Sequence, residues 1–278
     1  MQSHLGPLLV LRACREIKKG ERVTCARVHA SLPIDERWEA VRAWDGRGRM
    51  GMPSQDSGED GKGCSCEFCE AEIKEGPSTR QTRVDLMQQV KQLAERLPPS
   101  SLQSSSQPPS ATSVAPPKSL IESTISTLNP LIASLSSTYT LPPSIHPRFA
   151  LLEPLGYLSA LHLSLPGKEH VESALRANLE FLAALGYGFE FTNSVPGTGD
   201  GDISLTRQGH PHPLALKTLL QQASICWQVS RRRAAEGWRK CAVQGIGIIG
   251  GPEGEGAEVL FGMWESFASA MKGLGWKV

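Results

Sequence analysis

The chain has 278 residues, with 29 Lys and Arg against 28 Asp and Glu, a net charge of +1. That balance gives no long-range field to steer nucleic acid or an anionic membrane surface, and no apolar stretch reaches the roughly 20 residues that span a bilayer. With 40% apolar and 21% charged residues the composition is that of a globular protein, while 27 Gly and 20 Pro assign much of the length to loops.

Residues 8–28 hold two short apolar runs, Leu8-Leu9-Val10-Leu11 and Val23-Thr24-Cys25-Ala26, around the charged turn Glu16-Ile17-Lys18-Lys19-Gly20-Glu21. The pattern predicts a β hairpin. A hairpin alone is not stable in water, so this one needs a sheet to join. The first run is too short for the core of a signal peptide, which makes the expected compartment intracellular, cytoplasm or nucleus. Leu32-Pro33-Ile34-Asp35 suits the start of a short helix carrying Arg37, Trp38, Val41 and Trp44, and 46–63 reads as a Gly, Asp and Ser loop.

Cys64-Ser65-Cys66-Glu67-Phe68-Cys69 follows. In a reducing compartment, thiolates packed this closely suit tetrahedral zinc better than disulfides. A closed structural site takes four ligands, so a fourth is expected from Cys14, Cys25 or His29.

From Ser78 or Thr79 a helix is expected, with Leu86, Val90, Leu93 and Leu97 on one face and Pro98-Pro99 as its stop. Residues 98–118 are too rich in Ser, Pro and Gln to offset the entropy of ordering and read as a disordered linker. Beyond it the pattern is helical. Ser119-x-x-Glu122 has capping-box spacing ahead of Ile125 and Leu128, and Asn129-Pro130 reads as a second start before Leu131, Ile132 and Leu135.

Further helices are expected near Pro147 with Phe149, Leu152, Leu155, Leu158 and Leu161, and then with Val171, Leu175, Leu179 and Leu182, closed by Gly186. Pro213 opens another with Leu216, Leu219, Leu220, Ala223 and Trp227. A last one carries Leu260, Trp264, Phe267, Met271 and Leu274. Successive amphipathic hairpins predict a helical, TPR-like array in which each pair buries its face on the next.

The run Leu9-Val10-Leu11-Arg12-Ala13-Cys14-Arg15-Glu16-Ile17-Lys18-Lys19-Gly20-Glu21-Arg22-Val23-Thr24, followed by Arg37, the C-x-C-x-x-C cluster and a helical region, resembles the end of a methyltransferase of the SET-and-MYND type. The resemblance implies transfer of a methyl group from S-adenosylmethionine to a protein lysine, a post-SET zinc site, and positioning of the lysine amine in a narrow channel. It also implies that Phe68 closes over the cofactor and that Cys64, Cys66 and Cys69 hold zinc with Cys14 or Cys25. Three family elements do not carry over. The family's tyrosine falls at Arg27, Met1–Pro7 holds no Asn-His-x-Cys, and a Gly-rich cofactor strand is absent. No catalytic residue is assigned, and the expectation is an amino-terminally truncated or inactive methyltransferase.

The predicted architecture is mainly α. It comprises a SET remnant at 1–33 with its short β hairpin, a zinc-binding post-SET segment at 34–76, a helix at 77–97, the linker at 98–118 and a helical-repeat domain at 119–278. The alternative function is a non-catalytic, zinc-stabilised helical module that grips a protein or peptide partner. Three other signals are given bland readings. Arg231-Arg232-Arg233 with Arg239 and Lys240 is taken as a solvated helix face rather than a nucleic-acid contact. Gly245-Ile246-Gly247-Ile248-Ile249-Gly250 matches a dinucleotide fingerprint by letter but lacks the strand before it, and with 251–256 reads as an interhelical loop. His210-Pro211-His212-Pro213 is taken as a loop leading into a helix, Cys226 and Cys241 as small buried groups, and Tyr157 and Tyr187 as core or rim residues.

Overall fold

The computed structural model of the chain describes Glu39 and residues 67–97, 116–192, 200–210, 212–249 and 255–273. Helix takes 74% of these residues, which makes the protein mainly α as expected. The predicted hairpin at 8–28 and residues 98–115 of the linker lie outside the described residues, as does the helix at 32–45 apart from Glu39, which is helical and exposed; Lys118, the last residue assigned to the linker, already belongs to the next helix.

Helix α1, Glu67–Glu95, starts earlier than the expected Ser78 because it is two limbs joined at a break. Gly76 sits at φ 80° and ψ 162°, outside helical space, and Pro77 follows. Only glycine adopts that conformation without strain, and a proline fits the first turn of the limb that restarts after it. The second limb buries the predicted face: Val90 and Leu97 are in the core, and Leu86 and Leu93 pack against it.

Helix α2, Lys118–Ser137, overturns two local expectations. Its cap position is Pro117, and no side chain caps it, so the Ser119-x-x-Glu122 box does not form. Glu122 instead reaches back to Lys118 at 3.6 Å in solvent. Pro130 lies inside a continuous helix rather than starting a new one. Ile121, Ile125, Leu128, Ile132 and Leu135 make a buried stripe that spans the proline. Asn129 and Pro130 are exposed, so water can take the carbonyl that the ring leaves without a donor. Burial of the stripe, at about 2 kcal/mol for each large side chain, outweighs the local stop signal.

A 3₁₀ turn at Phe149–Leu151 leads into α3, Leu152–Leu163, and the short link Ser164–Gly167 folds α4, Lys168–Ala184, back on it. Leu155, Leu161, Leu175 and Leu182 are each no more than 1% exposed at this seam. Gly186, at φ 87°, follows the end of α4 as the sequence predicts.

An antiparallel hairpin that the sequence reading did not foresee comes next, β1 Gly188–Thr192 and β2 Asp202–Arg207. Phe189 pairs with Leu205 and Phe191 with Ile203, with a bulge beside Gly188. Period-two alternation sends these four apolar side chains to one face. They lie against α6, Arg232–Ile249, which pairs closely with α5, Pro213–Gln228. Trp238 is 1% exposed, with the Phe189 ring 4.9 Å and the Phe191 ring 6.2 Å away, both edge to face. Next to it, Gly237 lets β2 approach: a Cβ there would stand 2.9 Å from the Ile203 side chain and 3.0 Å from its backbone.

Helix α7, Glu255–Gly273, packs on α5 and α6 through the buried Phe267 and Met271, in line with the predicted stripe. The segment 245–249 is the end of α6 rather than the expected loop, so its glycines sit within a helix and follow no strand.

Candidate functional site

The cysteine segment meets the helical array through the first limb of α1. Cys69 lies in its first turn and is 5% exposed. Cys64 and Cys66 lie outside the described residues, as do the side chain of Phe68, Cys14, Cys25, His29 and Arg27. Among the described residues no three His, Cys, Asp or Glu side chains are grouped as a metal site. Cys226 and Cys241 are core residues as expected; burial pushes their thiols up to about 12 and about 11, which leaves them neutral and inert.

Six residues beyond Cys69, still on the first limb of α1, Glu75 enters a buried polar cluster. Its side chain has no exposed surface, His146 is 1% exposed and Arg83 10%. Arg83 Nη2 donates to Glu75 Oε2 at 2.8 Å and to the Thr138 carbonyl at 3.0 Å, while its Nε donates to Thr138 Oγ1 at 3.1 Å. His146 Nδ1 stands 3.2 Å from the other Glu75 oxygen. The Arg83 guanidinium lies 3.8 Å from the centre of the Tyr139 ring, and Tyr139 meets His146 edge on at 5.1 Å.

These contacts join the limb before Gly76, the limb after it, the end of α2 and the segment leading to α3. A carboxylate removed from water needs such partners, because an unpaired buried charge costs several kcal/mol. Tyr139 accepts from the Ala150 N–H at 3.3 Å. Burial raises its phenol above the ordinary value, with Arg83 partly opposing, so it stays a neutral hydroxyl. The cluster is closed to solvent and its groups face one another. It can fix orientation; it offers no group to a substrate.

The sequence reading missed this cluster. Glu75 and Arg83 are eight residues apart, a spacing near two helical turns that the break at Gly76 disguises, and His146 comes from a Pro-rich connector with no periodic signal.

The basic run is for the most part the solvated face expected of it, with Arg232, Arg233 and Lys240 exposed, and several of its side chains also make contacts within the protein. Arg231 is partly buried and donates to Glu172 Oε1 at 3.1 Å. Arg232 stacks on Trp227 at 3.5 Å, and Arg239 grips Glu236 through two hydrogen bonds of 2.6 and 2.8 Å. Asp200 caps α6 by accepting from the Arg233 and Ala234 N–H groups at 2.8 and 3.2 Å. A shallow cleft of about 430 Å³ opens beside these residues, lined by Asp202, Ile203, Arg232, Arg233, Glu236, Gly237 and Lys240. Its charges are of both signs and largely paired.

His212 caps α5 by accepting from the Leu214 N–H at 3.2 Å, so the His-Pro-His-Pro segment does lead into a helix. Tyr187 is core and Tyr157 is rim, the latter donating to Glu153 at 2.6 Å.

By its described residues this is a mainly helical protein with a small two-stranded sheet and a buried charge cluster at one helix junction. Among those residues no helix is long and apolar enough to cross a membrane. No family model, curated protein or solved structure matches the chain.

Proposed function

We propose that the chain serves a protein-lysine methyltransferase of the SET-and-MYND type, with its TPR-like helical region holding the protein or peptide to be modified. One observation carries this reading furthest. The helix that begins at Glu67, within the C-x-C-x-x-C cluster, leads across its break at Gly76 into the helical region and is held there by the Glu75–Arg83 ion pair, so Cys69 and the helical region follow in the order that the family has.

Zinc fits this frame. Cys69 is buried where the cluster enters α1, and Cys64, Cys66 and Cys69 would hold the metal with Cys14 or Cys25, or His29, as the fourth ligand. Bound there, zinc would supply folding energy rather than catalysis. S-adenosylmethionine would supply the methyl group. Phe68 is the side chain that the resemblance offers it.

Arg27, at the position of the family's tyrosine, favours a second reading, a zinc-stabilised interaction module without catalysis. Calorimetric titration of S-adenosylmethionine into the zinc-loaded chain, with zinc measured on the same sample, separates the two. Micromolar binding supports the enzyme; about one zinc per chain with no cofactor binding supports the module.

A further inference from the structure

His162 ends α3 and His170 opens α4, so the short Ser164–Gly167 link brings both rings to one side of the helix turn. Their Nδ1 atoms are 3.2 Å apart, with ring centres at 5.5 Å and planes tilted by 32°. Both residues are half-buried. The turn is anchored to the core by Leu161 just before His162, by Leu165 between the two histidines and by Leu175 on α4, which are 0%, 5% and 0% exposed.

We propose that His162 and His170 form a binding site for one late first-row divalent cation, of the zinc, nickel or copper kind, held between their Nδ1 atoms. Two metal–nitrogen bonds of about 2.0–2.1 Å at a tetrahedral angle place their nitrogens about 3.3 Å apart, against the 3.2 Å found. Imidazole selects these cations over magnesium and calcium, which take oxygen donors.

Without metal, one Nδ1–H donates to the other Nδ1. Metal entry replaces that shared proton, which moves to Nε2 of the same ring, and turns the two lone pairs slightly toward a common point. Ligation needs both rings neutral.

No third His, Cys, Asp or Glu completes a metal group among the described residues, so the other coordination positions fall to water or to an incoming ligand. The site is therefore an open one, unlike the closed thiolate cluster, and it would clamp α3 to α4. It does not depend on the methyltransferase reading.

The test is nickel titration of the full chain, loaded beforehand with a single equivalent of zinc, which the cysteine thiolates take in preference to two imidazoles so that the histidine pair stays free, followed by calorimetry and by NMR of the imidazole protons. One nickel per chain should bind, and the His162 and His170 ring signals should broaden first. His162→Gln and His170→Gln should each weaken this event by at least about tenfold, a loss of about 1.4 kcal/mol. Absence of binding, unchanged affinity in both variants, or broadening at other histidines first would overturn the proposal. The ring signals are read on the unaltered chain, so the result stands even if a variant folds poorly.

Discussion

Where the β1–β2 hairpin meets α6, the contacts are aromatic and aliphatic: Phe189 and Phe191 close on Trp238, and Ile203 lies over Gly237. Where α1 meets the end of α2 and the connector to α3, the contacts are charged, with Glu75, Arg83 and His146 buried together beside Tyr139. An apolar seam is stabilised by area and shape, and it tolerates small slips. A buried charge cluster adds little net stability over an apolar one, but it punishes any arrangement that separates its members. The second kind of seam suits a helix whose broken middle, at Gly76, would otherwise let its first limb swing. Cys69 rides on that limb, so the cluster sets the place where the cysteine segment joins the array.

The largest effect is expected at the apolar seam. Trp238→Ala should cost about 4 kcal/mol, the range for truncating a fully buried aromatic, read as a lower urea midpoint and loss of amide protection in β1 and β2. At the charged seam Glu75→Ala should cost about 3 kcal/mol, since Arg83 loses its counter-charge while still buried. The comparison is sharpened by a double-mutant cycle. Glu75→Ala and Arg83→Met should couple strongly, the double variant being far less damaged than the sum, whereas Glu75→Ala and Trp238→Ala should add. Simple additivity of the first pair would mean that the cluster acts as separate contacts.

The apolar architecture was legible in the sequence and the polar architecture was not. Stripes such as Ile125, Leu128, Ile132 and Leu135 repeat at helical spacing, and burial then enforces them even across Pro130. Where two local signals conflicted with a stripe, the capping box at Ser119 and the start at Asn129-Pro130, the stripe prevailed. The hairpin was readable too, in the alternation of Phe189 with Phe191 and of Ile203 with Leu205, but Gly188 and the Gly-rich residues near 200 masked strands this short. The spacing of Glu75 and Arg83 is disguised by the break at Gly76, and His146 carries no period. Their meeting follows from the tertiary path of the chain, and so does that of His162 with His170. The cysteine cluster could be read only as chemistry, through its spacing.

A subtler probe of the apolar seam is Gly237→Ala. The new methyl would stand 2.9–3.0 Å from Ile203, so β2 must lift by a few tenths of an ångström. The expected cost is about 2 kcal/mol, typical of overpacking, although alanine favours helix on α6 by propensity alone. Stability that rises instead would show that the hairpin rests loosely on α6, and the contrast between the two seams would then weaken.

The smallest effect concerns pH and lies outside both seams. His162 has its pKa lowered in the folded chain, first by burial and then by His170, below the ordinary 6.5 of the free side chain. The unfolded chain therefore takes up this proton at a higher pH than the folded one. The sign follows by linkage: the contribution of a neutral, buried His162 is complete above about pH 6.5 and is lost as pH falls from there through the folded value. His162→Gln cannot titrate and should flatten that part of the stability curve, measured by urea unfolding at intervals from pH 7.5 to about pH 5. If the variant lost stability as steeply as the parent chain over this window, the proton would be going to a group other than His162.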